Sequence, residues 1–450
     1  MRIRLEHITV ILLVVILSAS FGCHPVWGQQ PKERVYAASQ TNGGLLGTVS
    51  NAANVVGSGT NTSASLSVPL GALGVASAYV QPRFGSTLPA GTSTHLKIGV
   101  NPTLLGAGIT VNVQAYNGTT AVGASVNMGA LLSLLNGQYT EEIVFTPQTS
   151  GGTPVSYNGV RVTLNGGLLS IAANVDVYYA YYLQDASASI ACDAPAEVLY
   201  GSTGTLLSGV NQVENPQNAI DGNTNTFTRL RSSVGVLDKT YIRSLYNTLS
   251  RSGDSVRVIL RNPGGLLQAS LLATNLTITT YNNKTSNGAL ELDESILSLS
   301  LLPGSTDVQV LTYPVIPEFN RIEVSIGQGL LNALGDLYVY EVSRIGKGPE
   351  VTSPQFVDDV AYACYGNPVT LNIASPLANS IYRWYTVAAG GTSVFTGTSY
   401  APDTTIAGTR FFYVSEMRNG CTDETGRTPV KLVVLPAYGN PDIAIGNTTN

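Results

Sequence analysis

The chain has 450 residues, of which 11% are charged, and a formal net charge of −5. An ordinary soluble domain carries about 25% charged residues, so this composition disfavours long solvated helices and favours short strands with tight turns. The small net charge and the absence of a basic stripe exclude nucleic acid as the expected partner.

The first element in chain order is a secretory signal over residues 1–28. Arg2 and Arg4 supply its positive end, and Thr9 to Leu17 is apolar but shorter than the roughly 20 residues a bilayer span needs. Cleavage is expected after Gly28. A lipid anchor on Cys23 is disfavoured, because Ser20 stands where a lipobox carries an aliphatic residue. The expectation is export to the medium or the outer cell surface. No later stretch is long and apolar enough to predict a transmembrane helix.

The next 300 or so residues state one pattern twice. Asn51, Asn54, Thr60, Asn61, Thr62 and Leu66 recur as Asn215, Asn218, Thr224, Asn225, Thr226 and Leu230 at one offset of 164. Leu45-Leu46 matches Leu206-Leu207, Tyr79 matches Tyr241, Tyr116 matches Tyr281, and Arg161-Val162 matches Arg321-Ile322. A period of this length is a domain rather than a solenoid unit. The predicted copies are repeat 1, residues 36–190, and repeat 2, residues 196–346. Short apolar runs bounded by Gly, Asn and Pro predict strands, among them His95 to Val100, Ile109 to Ala115, Val256 to Leu260 and Leu276 to Thr280. Ala130 to Leu135 predicts one turn of helix. So many strands in about 150 residues predict a jelly-roll-like sandwich for each copy.

Gly346 to Pro349 reads as a linker. Residues 351–436 predict a smaller sandwich, with strands at Val369–Ile373, Ser380–Tyr385, Arg410–Ser415 and Val430–Leu435 and with Trp384 as its core pin. Residues 437–450 read as a linker or the start of a further module. The fold class is therefore all-β throughout. In an oxidising compartment Cys364 and Cys421 are expected to pair, closing a loop worth at most about 4 kcal/mol. Cys192, in the join between the repeats, is then left as a buried free thiol or an intermolecular partner.

Residues 360–436 resemble the Ig-like module of secreted Bacteroidetes proteins that accompanies the gliding-motility C-terminal sorting domain. The resemblance rests on Cys364 to Leu371, Tyr382 to Tyr385, Gly390-Gly391, Phe412 to Val414, Asn419 to Cys421 and Arg427 to Val430. It implies a spacer or adhesive module on a surface or secreted protein. The repeats are similar, more distantly, to discoidin or galactose-binding-like jelly rolls, through Asn218 to Thr226 and Gly335 to Val342. That resemblance implies a structural Ca²⁺ held in repeat 2 by Asp221, Asn223, Thr226 and Glu341, hard oxygen ligands on a tight loop. The alternative is a plain Asx and Gly turn. In repeat 1, Gly57, Ser58 and Gly59 replace the first three loop residues and Tyr181 stands near the place of Glu341, so no Ca²⁺ is expected there.

Catalysis is not expected. One histidine, His95, remains after cleavage, and a triad, a histidine zinc site or a histidine general base would all depend on it. The acidic pairs Glu141-Glu142 and Asp293-Glu294 are neighbours in sequence, which does not set two carboxyls across a cleft. Sugar binding would use exposed Tyr178, Tyr179, Tyr181, Tyr182, Tyr338 or Tyr340, although alternation sends about half of them to a core. The leading expectation is a non-catalytic adhesive or structural protein that meets matrix or a cell surface. The alternative is a polysaccharide-binding protein, or the binding region of a larger secreted hydrolase.

Overall fold

The computed structural model describes residues 30–437 except 70–74, 101–108, 129–138, 167–172, 204–211, 232–238, 264–275, 291–297 and 328–335. The signal, Cys23, Leu206-Leu207, the helical turn predicted at Ala130 to Leu135 and nearly all of the tail lie outside the described residues. Residues from Pro31 onward form one compact unit. No helix among the described residues is long and apolar enough to cross a membrane.

Repeat 1 holds β1 (Lys32–Tyr36), β2 (Ser39–Leu45), β3 (Thr48–Ser50), β4 (Ala64–Val68), β5 (Ser77–Leu88), β6 (Thr94–Val100), β7 (Thr110–Asn117), β8 (Thr120–Asn127), β9 (Tyr139–Phe145), β10 (Tyr157–Asn165) and β11 (Ala173–Asp185). Repeat 2 holds β12 (Glu197–Thr203), β13 (Gln212–Glu214), β14 (Thr228–Arg231), β15 (Lys239–Leu245), β16 (Ser255–Arg261), β17 (Leu276–Asn282), β18 (Thr285–Ala289), β19 (Ser298–Leu301), β20 (Gln309–Pro314), β21 (Arg321–Ile326) and β22 (Asp336–Ile345).

The strand orders prove the repetition. One sheet of repeat 1 runs β2-β5-β10-β7-β8, and repeat 2 answers with β12-β15-β21-β17-β18. The facing sheet runs β3-β4-β11-β6-β9, answered by β13-β14-β22-β16-β20, to which β19 is added. Alternating apolar residues of each pair of sheets meet in a dry core. In repeat 1 that core includes Leu66, Val80, Leu96, Ile98, Val162 and Val177, and in repeat 2 Leu230, Ile242, Val258, Leu260, Val324 and Val339. The sandwiches are also joined to each other. Gly201 of β12 pairs with Tyr139 of β9, which makes the outer sheet of one repeat continuous with a sheet of the other.

Register corrects one alignment read from the sequence. Arg161 faces Gln81 across β10 and β5, while Arg243 faces Glu323 across β15 and β21. The counterpart of Arg161 is thus Glu323, not Arg321. Arg161 lies between the rings of Tyr79 and Tyr116, at 3.9 and 4.0 Å from their centroids.

The third module has a six-stranded and a three-stranded sheet around Trp384, Leu371, Val414 and Leu432, with Trp384 fully buried. Its main strands are Val360–Cys364, Ile381–Tyr385, Gly408–Met417 and Thr428–Leu435. Here the expected disulfide is overturned: Cys421 bonds Cys192, and Cys364 is a free, exposed thiol. The sheet explains why. Cys364 pairs with Leu435, beside the Gly408 end of the long strand, whereas Cys421 follows Met417 at its other end. At about 3.3 Å per residue the two lie roughly 20 Å or more apart, far beyond the reach of a disulfide.

The segment Gly346 to Pro349 is a packed joint rather than a free linker. A Cβ on Gly346 would fall 2.8 Å from Arg418, and one on Gly348 2.6 Å from the Gly426 carbonyl. Lys347 donates its backbone N–H to Asp254 at 2.8 Å.

Candidate functional site

The repeated motif is first a turn. Asn51 and Asn215 both sit in the left-handed region, at φ 53° and 51°, and each leads a short 3-10 turn. Asparagine tolerates that conformation better than most residues. Asn54 Nδ2 donates to the Ser63 carbonyl at 3.0 Å, and Asn218 Nδ2 donates to the Phe227 carbonyl at 3.1 Å. The identities that reveal the repeat therefore hold one loop in one shape in both copies. Leu66 and Leu230 follow the loop into the core.

In repeat 2 this loop brings together all four residues expected to bind a cation. Asp221 accepts the Asn223 N–H at 2.8 Å and the Thr226 hydroxyl at 2.7 Å. Asn223 Oδ1 accepts the Asn225 N–H at 3.1 Å. Glu341, on β22, accepts the Gly222 N–H at 3.0 Å. Burial pushes the Glu341 carboxyl up to about 7; the Asp221 charge adds to the rise, and the Gly222 N–H opposes it. Two carboxylates, an amide carbonyl and a hydroxyl are a hard-oxygen donor set suited to Ca²⁺.

Repeat 1 answers the same position differently. Strand β11 carries a bulge at Tyr178, as β22 does at Tyr340, so Val177 matches Val339 and Tyr179 matches Glu341. The counterpart of Glu341 is thus Tyr179, not Tyr181. The cross-strand neighbour of Glu341 is Ile259, and that of Tyr179 is Lys97. Lys97 sends its ammonium to the Thr60 carbonyl of the loop at 3.0 Å and to Glu197 at 3.1 Å. Glu197 also accepts from the Tyr179 hydroxyl at 2.9 Å and from Gln217 at 3.3 Å. Burial lowers the Lys97 pKa against the pull of Glu197. Sequence reasoning missed this pair. The signal was a lysine inside an otherwise alternating strand.

Lys97–Glu197 belongs to a buried ionic seam between the repeats. Glu142 accepts from the Tyr181 hydroxyl at 2.6 Å and from Arg321 at 2.9 Å, and lies 3.3 Å from His95 Nδ1. Burial alone would raise its pKa, but His95, Arg321 and Arg34 outweigh burial and hold the carboxyl well below the usual range. Arg243 ties Glu323 to Glu141. The His95 ring stacks on Tyr181 at 4.7 Å.

A second joint holds the Ig-like module to repeat 2. Arg418 grips Asp254, Arg251 meets Glu416 at 3.1 Å, and Asp423 accepts the N–H groups of Cys192 and Asp193. A groove of about 270 Å³ runs along it, lined by Arg251, Lys347, Glu350, Tyr382, Glu416 and Arg418 among others. Lys347 pairs with Glu350 at 2.8 Å, so each of these charges is matched within the chain.

The tyrosines weighed for sugar stacking are mostly spent on packing. Tyr179, Tyr181 and Tyr340 are buried. Tyr338 is half-buried and stacks on Phe227 at 4.4 Å, and the Arg261 guanidinium lies 5.1 Å from the Tyr338 ring centroid.

Comparison with known proteins gives three kinds of result. No curated protein matches the sequence. Solved structures to which the chain is similar include a fucolectin from striped bass (Morone saxatilis) serum, 14% identical over 70% of this chain and 99% of its own, with TM-score 0.22. Others are a β-1,2-glucanase from Parabacteroides distasonis, 14% identical over 56% of this chain and 39% of its own, with TM-score 0.25, and the family 32 carbohydrate-binding module of NanJ from C. perfringens, solved with galactose, 15% identical over 34% and 97%, with TM-score 0.22. Scores this low carry nothing about function. The family model described as "Ig-like domain CHU_C associated" matches residues 352–436, so the C-terminal sandwich is an Ig-like module of that type on a modular all-β protein.

Proposed function

We propose that the chain is a non-catalytic, exported structural or adhesive protein whose three sandwiches act as one stiff body. The observation that carries this is the pair of locked joints: the buried seam of Lys97–Glu197 and Glu142–Arg321 between the repeats, and Cys192–Cys421 with Asp254–Arg418 at the Ig-like module. A disulfide fits an oxidising, extracellular setting. The one histidine among the described residues, His95, is occupied by Tyr181 and Glu142, which supports a body without acid–base chemistry. Asp221, Asn223, Thr226 and Glu341 would hold one structural Ca²⁺ in repeat 2. Beads coated with the full mature chain should adhere to matrix or cell surfaces. Beads that fail to adhere to either would sink the adhesive reading.

A carbohydrate-binding reading is favoured by one feature, the Phe227–Tyr338–Arg261 group next to the Asp221 loop. A half-open tyrosine flanked by a guanidinium is a fit surface for a sugar ring. A glycan array run with and without Ca²⁺ tests it. Binding to a defined glycan that is lost in Tyr338→Ala supports this reading, and a blank array for the folded chain removes it.

A further inference from the structure

The outer face of one sheet is covered in repeat 2 and open in repeat 1. In repeat 2 it is the face of β12-β15-β21-β17-β18 that meets repeat 1. There the Arg243 guanidinium lies 5.4 and 4.9 Å from the ring centroids of Tyr241 and Tyr281. Its Nε and Nη2 donate to Glu323 at 3.0 and 2.6 Å. Its third nitrogen, Nη1, takes a second carboxylate, Glu141 of repeat 1, at 3.3 Å. Tyr241 is 3% exposed and Glu323 is fully buried.

Repeat 1 keeps this arrangement without the carboxylates. Arg161 lies between the matching rings of Tyr79 and Tyr116, although it comes from the neighbouring strand. Its Nε and Nη2 donate to Gln81 Oε1 at 3.1 and 2.9 Å. Gln81 is neutral where Glu323 is an anion, and among the described residues no hydrogen bond or ion pair engages Nη1. Arg83 stands two residues from Gln81 on β5 and so shares its face. Strands β2, β5, β7, β8 and β10 carry no other charged residue, and residues 34–140 and 143–175 contain no Asp or Glu. Tyr79, Arg83, Gln114, Arg161 and Thr163 are half-buried rather than covered, and Thr41 is exposed.

What this face lacks is a carboxylate from outside the chain. A second copy stacked on it, as repeat 1 is on repeat 2, offers none: repeat 2 carries Gln309 and Val310 where repeat 1 carries Glu141 and Glu142. A protein interface also needs an apolar centre. Among the described residues of this sheet, exposed large hydrophobics stand only at its rim, Leu45 and Val126. Around Arg161 the side chains are hydroxyls and amides, Thr41, Gln81, Gln114 and Thr163. That set complements a hydroxyl-rich ligand, and two guanidiniums complement an acid group on it.

We propose that the outer face of β2-β5-β10-β7-β8 binds an acidic polysaccharide, with Arg161 and Arg83 holding the carboxylate of a uronate residue. The site is separate from the Phe227–Tyr338–Arg261 group and from the Asp221 loop of repeat 2.

Isothermal titration of the full mature chain with polygalacturonate, alginate and hyaluronan tests this, in chelator so that the Asp221 loop takes no part. The expected result is binding to at least one of these uronate polymers, weakened by salt, and none to neutral dextran. Gln81→Glu gives Arg161 the internal acid that Arg243 already has, so the chain should stay folded and bind at least roughly tenfold more weakly. Arg161→Gln should weaken binding as much. Lys431→Gln, which removes an exposed charge from the Ig-like module, should change nothing. A folded chain that binds none of the three polymers overturns the proposal. Binding that survives unchanged in Gln81→Glu, folded by circular dichroism, overturns it too. Binding of poly-L-glutamate but of no uronate polymer overturns it in favour of an acidic protein.

Discussion

The two repeats share ten strands in the same order and the same Asn-led turn, yet they fill one position in opposite ways. In repeat 1 the chain supplies its own cation: Lys97 reaches the Thr60 carbonyl and Glu197. In repeat 2 the equivalent of Lys97 is Ile259, and the loop gathers Asp221 and Glu341 instead. That ammonium joins the loop of repeat 1 to repeat 2 through Glu197. The loop of repeat 2 is left with carboxylates and no lysine. One fold thus yields an inter-repeat lock at one copy and a candidate ion site at the other.

The largest effect is expected from breaking the internal cation. Lys97→Met leaves Glu197 buried and unpaired, which costs about 3–5 kcal/mol in a denaturant titration. Adding Glu197→Gln should recover most of that loss; a double variant no better than the single one would show that the pair does not lock the repeats. Next comes the bridge. Removing both Cys192 and Cys421 as serines should cost about 2–5 kcal/mol and loosen the Ig-like module to protease, whereas Cys364→Ser, at an exposed free thiol, should change neither. Unchanged proteolysis without the bridge would mean that Asp254–Arg418 suffices.

Acid should open the seam before it unfolds the cores. Glu142, Glu323 and Asp254 are buried, yet their pKa values lie below the ordinary 4.5, 4.5 and 3.8 because His95 and Arg321, Arg243 and Lys239, and Arg418 outweigh burial. Depressed carboxylates contribute stability that is present above the unfolded values and lost as pH falls through the folded ones. Stability should therefore fall below about pH 4, whereas between about pH 7 and 5 the raised Glu341 carboxyl, protonated in the fold before it is in the unfolded chain, adds stability as pH falls. Asp193, raised by burial, acts with the opposite sign and softens the fall. A melting temperature that does not change down to about pH 3 would contradict the seam's role. The smallest effect concerns the loop of repeat 2. Asp221→Asn should lower the melting temperature in Ca²⁺ by a few degrees, about 1 kcal/mol, and leave it unchanged in chelator.

Much of this was legible in sequence. The repeat, its strands and the Ig-like sandwich followed from Asn51 and Asn215, from alternating runs such as His95 to Val100, and from Trp384, because local pattern dictates each. The convergence of Glu341 on the Asp221 loop came through resemblance. What was not legible was anything decided by docking between modules. Cys192 bonds Cys421 across a separation of 229 residues because the Ig-like module settles against the inter-repeat join. The match of Tyr179 to Glu341 required the bulge at Tyr178, a register shift that alternation does not reveal.

The most direct test is calorimetric titration of Ca²⁺ into the full mature chain beside Glu341→Gln. The account predicts one site per chain, lost in the variant, with repeat 1 contributing none because Lys97 already serves its loop. No binding, or binding that survives Glu341→Gln, would contradict it.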